Sequence, residues 1–357
     1  MTSNVVWKTA EKAVIAGEAP TLQRLLRKNK RLFREQSPPA RSGGLRPDYS
    51  RGDAKSIILW NQHFDSWQEF VEYLKALERK HSPIAQFEAA VDGIVAGKIP
   101  RLKQLLRRNP ELTRARSTRN HHSMLLHYVG ANGVEYYRQR TPKNAVKVAE
   151  LLLEAGAEID AMADMYGGST TLGLIATSIH PYLAGVQNAL IDVFLKHGAQ
   201  IDHPTAAGNK QSLVNGCLAN GRPDAAEFLA KRGARLDLEG AAGVGRLDKV
   251  KSLFTADGGL KPNATEAQLR SGFNWACEYG HTRVIEFLLK TKFDFNHIHR
   301  GETGLHWAAY GGHVDIIKLL LKRNARVDII DKRFDGTPLG WALYAWGESR
   351  PGPKRNR

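Results

Sequence analysis

The chain has 357 residues, 42% hydrophobic and 25% charged, which suits two ordinary domains or one long repeat array; 52 Lys and Arg exceed 36 Asp and Glu by 16. No run approaches the roughly 18 to 20 apolar residues of a membrane span, and the opening MTSNVVWKTAEKAVIAGEAP lacks the basic-then-apolar order of a secretory signal. Two cysteines, Cys217 and Cys277, supply neither a disulfide framework nor a four-ligand zinc site, so a cytoplasmic chain without membrane insertion is expected.

Up to Arg119 there are 23 basic and 12 acidic residues, so about two thirds of the excess charge lies in the first third of the chain. Such asymmetry suits an acidic partner: nucleic acid, an anionic surface or an acidic protein. This region is also duplicated. AGEAPTLQRLLRKNKRLFR from Ala16 matches AGKIPRLKQLLRRNPELTR from Ala96, with Pro20 opposite Pro100, Leu22 opposite Leu102 and Leu26 opposite Leu106. Each copy reads as a helix, a Gly turn and a second helix. Arg24, Arg27, Lys28, Arg31 and Arg34 fall on the side away from Leu22, Leu25 and Leu26, and Arg107 and Arg108 echo them. Between the copies, Ser66 and Glu69 have the spacing of a reciprocal helix cap. Residues 1–82 are therefore expected to hold helical pairs with a basic face and an irregular linker at 36–52. Residues 83–119 are expected to be the second pair, capping an array at 120–347.

The array repeats at about 33 residues. First-helix segments begin at Leu125 (LLHYVGANG), Thr170 (TTLGLIATS) and Ser212 (SLVNGCLANG). Second-helix segments run VAELLLEAGAEID to Asp160, VFLKHGAQID to Asp202 and AEFLAKRGARLD to Asp237. LEGAAGVGRLDKVKSLF from Leu238 follows almost without a hairpin, and its Gly240, Gly243 and Gly245 read as a poorly helical inner helix and a soft joint. RSGFNWACEYGHTRVIEFLL then aligns with ETGLHWAAYGGHVDIIKLLL, placing Trp275 on Trp307 and His281 on His313, and GTPLGWALYAWG repeats the start at Trp341. That makes six units and a terminal half-unit, with a disordered basic tail expected at 348–357. In each second helix the apolar residues make one stripe, which only neighbouring units can bury. Gly156, Gly198, Gly233 and Asn324 stand where those helices need a left-handed residue.

Thr337, Pro338 and Leu339, then Leu305, His306, Ala308, Ala309, Gly312 and His313, and finally Leu319, Leu320 and Leu321 resemble the ankyrin repeat. The resemblance implies an all-α ankyrin-repeat solenoid of stacked helix pairs with short β-hairpin fingers, preceded by helical hairpins. The segment around Ser66 resembles the F-x-S-W hairpin that often precedes bacterial arrays of this family. It also implies that His306 holds neighbouring turns by hydrogen bonds, and that the array is a protein-binding scaffold.

Catalytic and cofactor motifs are not found. GIVAGK at Gly93 is one residue short of a phosphate loop, and no H-E-x-x-H or G-x-S-x-G occurs. His297, His299 and His306 cluster in sequence without a ligand set, so no metal, cofactor or enzymatic activity is expected. Three surfaces are candidates. Trp275, Trp307 and Trp341 recur at one inner-helix position, and either line a binding ladder or pack the C-terminal stack. Two inserts fall at the same junction of consecutive units, VEYYRQRTPKNA and IHPYLAGVQNA. Stacking should bring them together, with Tyr136, Tyr137, Arg138, Arg140, His180, Tyr182 and Gln187 forming a recognition site. The N-terminal basic helices are the third candidate, for a polyanion. A monomer binding a protein partner through the concave face or the inserts is the expectation, with nucleic-acid or polyanion binding as the alternative.

Overall fold

The computed structural model describes residues 59–60, 62–204, 211–291 and 293–347. The first basic pair with Arg24, Arg27, Lys28, Arg31 and Arg34, the linker at 36–52 and the tail at 348–357 lie outside the described residues. The described chain divides into two compact units, parted between Gln200 and Ile201.

In the first unit, helix α1 (Trp67–Glu78) begins at the expected cap. Ser66 Oγ accepts from the Glu69 amide at 3.2 Å and the Glu69 carboxylate accepts from the Ser66 amide at 3.3 Å. Its Phe70 and Tyr73 pack on Phe64. Helix α2 (Pro83–Val95), capped by Ser82 with Pro at its first position, and α3 (Ile99–Arg108) form the second duplicated pair. Gly97 turns the chain between them at φ 64°, where a Cβ would collide with the Asn144 side chain.

The segment LLHYVG, expected as an α-helix, is instead a tight 3₁₀ stretch, Leu125–Gly130, ended by a left-handed Ala131. Close packing accompanies the tightening, since a Cβ on Gly130 would lie 2.7 Å from Leu174 Cβ. Then come α4 (Ala145–Glu154), the hairpin β1 (Met162–Ala163) with β2 (Ser169–Thr170), α5 (Thr171–Thr177), α6 (Ile179–Leu183) and α7 (Gln187–Lys196). The hairpin is antiparallel and pairs Met162 with Thr170.

The second unit is a run of helix pairs: α8 (Leu213–Ala219) with α9 (Pro223–Lys231), α10 (Leu238–Gly243) with α11 (Leu247–Ser252), α12 (Glu266–Glu278) with α13 (Thr282–Leu288), and α14 (Gly304–Gly311) with α15 (Val314–Lys322). Helix α16 (Pro338–Gly347) ends the described chain. First helices α10, α12, α14 and α16 pack in sequence, and the second-helix stripes bury Val250, Ile285, Leu288, Ile316 and Leu320 in a shared core. The glycines of α10 are close-packing residues, not the soft joint expected from sequence. A Cβ on Gly243 would lie 2.5 Å from Leu218 Cδ1 and 3.2 Å from Trp275 Cε3.

Gly156, Gly198 and Gly233 take φ of 88°, 91° and 94°, and Asn324 takes 60°, the left-handed ends read from sequence. Among the described residues extended pairing is confined to the hairpin and three isolated bridges, so the fold is all-α with short fingers.

Candidate functional site

The first insert turns inward. Tyr136–Arg138 form a 3₁₀ turn, and the Arg138 side chain is buried. Its Nη1 pairs with Glu88 Oε2 and its Nη2 with Asp92 Oδ1 at 2.9 Å, both on α2. Glu135 lies beside Arg119 Nε and accepts from the Tyr128 hydroxyl at 3.3 Å, with the His121 ring 3.7 Å away. Arg119, with no exposed surface, donates to the Gln62 carbonyl at 2.7 Å and to the Tyr73 hydroxyl at 2.7 Å, and its Nη2 lies 3.6 Å from Glu88 Oε2. Two guanidinium groups and two carboxylates thus alternate around a closed ring. Burial alone would raise the Glu135 carboxyl, but Arg119, His121 and Arg138 hold it well below the usual range. Burial would likewise weaken the charge on both arginines, and the facing glutamates keep them protonated. Burial pushes the Tyr137 phenol up to about 12.

Arg138 therefore belongs to the interior of the first unit and not to an exposed recognition surface. Its pairing runs back to α2, whereas stacking was expected to set it against residues 181–187. The reason is electrostatic: Glu88 offers a buried counter-charge that solvent-facing groups of the second insert do not. Sequence reasoning missed Glu88, Arg119 and Glu135. The one signal was Glu88 itself, a charge on the apolar stripe with Val91 and Ile94.

Gln187 is also internal. Its Nε2 lies within 3.0 Å of the carbonyls of Ile175, Ala176 and Ser178 at the end of α5. Of the two inserts, Tyr136 and Arg140 are exposed, and Tyr137, His180 and Tyr182 are half-buried. Desolvation lowers the His180 pKa.

The basic candidates that are described, Arg107 and Arg108, sit exposed on α3 beside exposed Arg101 and Lys103, while Leu102 and Leu106 point inward. Of the tryptophans, Trp275 and Trp341 are buried and Trp307 is half-buried. Trp307 meets Trp341 edge to face at 5.0 Å, and Trp341 Nε1 donates to Asp331 Oδ2 at 2.9 Å. Asp331 also accepts from the amides of Arg333, Phe334 and Gly336. Burial would raise its carboxyl, but these donors, led by Trp341, lower it on balance. The row is mainly packing, with only part of Trp307 offered to solvent.

Neighbouring pairs are clasped by histidines. His306 Nε2 donates to the Gly336 carbonyl at 3.2 Å while its Nδ1 accepts from Thr303, and His127 does the same with Ala161 and Met124. His281 donates to Gly243 O at 2.9 Å and His313 to Glu278 O at 2.7 Å. The fingers are tied in the same manner: Asp160, Asp202 and Asn296 accept the amides of Gln200, Arg235 and Arg326. Residues 238–332, which carry most of these clasps, match the family model for ankyrin repeats in three copies. The chain carries ankyrin repeats.

Ankyrin repeats are in general protein–protein interaction modules. The crystal structure of the human ASB11 ankyrin repeat domain is similar at 20% identity and a TM-score of 0.39, over 76% of this chain and all of that one. No curated protein matches the chain. In ankyrin terms α16 stands at the place of a repeat's first helix, and Leu339, Leu343, Tyr344 and Trp346 on it are exposed. Among the described residues no group of three or more His, Cys, Asp or Glu is placed to hold a metal, and no helix is long and apolar enough to cross a membrane.

Proposed function

We propose that this chain is a protein-binding scaffold that holds a partner on its ankyrin array and does no chemistry of its own. The observation that carries the reading is the match of residues 238–332 to ankyrin repeats, a binding module whose fold here is spent on stacking. The insert residues that remain accessible, Tyr136, Arg140, His180 and Tyr182, supply the mix of aromatic and Arg side chains that recognition surfaces favour, and half-buried Trp307 adds one ring. The pair α2–α3 packs against the 3₁₀ stretch Leu125–Gly130 and α4, which supports reading it as an N-terminal cap. The scaffold works as a cytoplasmic monomer. Affinity capture with the whole chain, with and without nuclease, tests it. A partner retained after nuclease and lost with Arg140→Ala plus Tyr182→Ala is the expected result; recovery of nucleic acid alone would overturn it.

A second reading is favoured by one observation. The exposed face of α3 carries Arg101, Lys103, Arg107 and Arg108 with no acidic side chain on the helix, which suits contact with phosphates.

A further inference from the structure

We propose that the exposed side of α16 is a docking site for an amphipathic helix with an acidic polar face, contributed by a partner protein. The proposal rests on the protein-binding reading above and adds to it a place and a chemistry.

The sequence of α16, PLGWALYAWG, contains no charged side chain. Only Pro338 and Trp341 are buried, while Leu339, Leu343 and Trp346 are 69%, 65% and 88% exposed. A helix apolar on every side is stable when it is covered on every side. The repeat before it shows what the cover is. Leu305 of α14, 34 residues before Leu339, is 5% exposed, and Ala309, the counterpart of Leu343, is 8% exposed. Leu305 shares a core with Ile316 and Leu320, the buried stripe of α15, whose Asp315, Lys318 and Lys322 stay outside that core. Among the described residues nothing covers the equivalent place on α16. The apolar surface also extends beyond the helix: Phe334, 67% exposed, has its ring 5.9 Å from that of Trp341. Exposed apolar surfaces of this extent mark interaction sites.

The surrounding charge selects among occupants. The stretch leading to α16 exposes Lys322, Arg323, Arg326, Lys332 and Arg333 against two exposed acids, Asp335 and Asp328, the latter paired with Arg326 at 3.3 Å, whereas the carboxylate of Asp331 is buried and used up by Trp341 and three amides. A second copy of the chain would set this basic rim against itself across a two-fold axis. A helix with acidic residues opposite its apolar stripe meets both the surface and the rim.

The test uses the whole chain and two dye-labelled synthetic peptides. Both carry the apolar spacing of α15; one has glutamates and the other lysines at the polar positions. Anisotropy at about 50 mM salt should show saturable binding of the glutamate peptide and at least tenfold weaker binding of the lysine peptide, with the gap narrowing as salt rises. Leu343→Glu with Trp346→Glu should weaken the glutamate peptide at least tenfold at an unchanged melting temperature. Absence of saturable binding, equal affinity of the two peptides, or equal binding to the double variant would overturn the proposal. So would a concentration-dependent dimer abolished by the double variant, which assigns the face to a second copy. If the peptide fails while the captured partner still depends on Arg140 and Tyr182, the scaffold reading stands without this site.

Discussion

Arg138 and Arg140 are two residues apart and should behave as opposites. Removing Arg138 leaves Glu88 buried without its nearest counter-charge, a change that costs about 3–5 kcal/mol in comparable buried pairs. Arg140 is exposed, and its truncation should change stability by less than about 0.5 kcal/mol. Urea unfolding of Arg138→Ala and Arg140→Ala separates them; equal midpoints would mean that the buried ring adds nothing. At this scale the sequence was legible where the signal was local. The left-handed Gly156 and Asn324, the Ser66 cap and the His306 clasp each follow from a short pattern with one backbone meaning. The ring was not legible, because Glu88 and Arg138 are 50 residues apart and nothing in either neighbourhood names the other.

Two elements carry titrations with opposite signs. Burial, followed by the nearby Asp237, raises Glu239 at the start of α10 from 4.5 to about 7, and Arg300 and a hydrogen bond from Ser271 offset it only in part. The folded state therefore holds a proton between about pH 4.5 and 7 that the unfolded chain has released, and this contribution to stability falls as pH rises through that window. Burial lowers His127 from 6.5 to about 4 despite its bond to Ala161, so its contribution falls as pH drops from 6.5 towards 4. Chemical denaturation of wild type and Glu239→Gln at pH 5 and pH 7.5 checks the first. The variant should gain on wild type at the higher pH by on the order of 1 kcal/mol, a figure discounted for the partial exposure of the side chain. A pH-independent difference would rule it out. The glycines of α10 show the limit of reading elements from propensity. Their composition suggests weakness, but the close approach of Leu218 and Trp275 that requires them comes from neighbouring repeats.

The whole molecule is basic, and its charge makes a prediction that geometry alone does not. If α3 binds phosphates, Arg107→Glu with Arg108→Glu should weaken binding to a duplex DNA probe. The slope of log K against log salt should also fall by about one for each phosphate that is no longer neutralised. An unchanged slope would leave these side chains as a solvated face. The repeat architecture was legible at this scale because a 33-residue period with an apolar stripe has few other physical solutions. The binding surface was less so. The inserts drew attention by their position, yet two of their polar residues serve the interior, and the largest accessible apolar side chains stand on α16, where only burial in three dimensions distinguishes Leu339 from Leu305.

The histidine clasps have a mechanical consequence. In the second unit His281, His306 and His313 each tie a repeat to a carbonyl of its neighbour, and no strand ladder shares the load there among the described residues. Tension applied at the C-terminal end should therefore peel the array like a strip of fasteners, one junction at a time, each releasing roughly 110 Å of chain for a repeat of about 33 residues. The first to open is α16, which has one covered side. Optical-trap extension would record a regular sawtooth, and acid that protonates His281 and His306, whose imidazoles burial holds neutral, would lower its peaks.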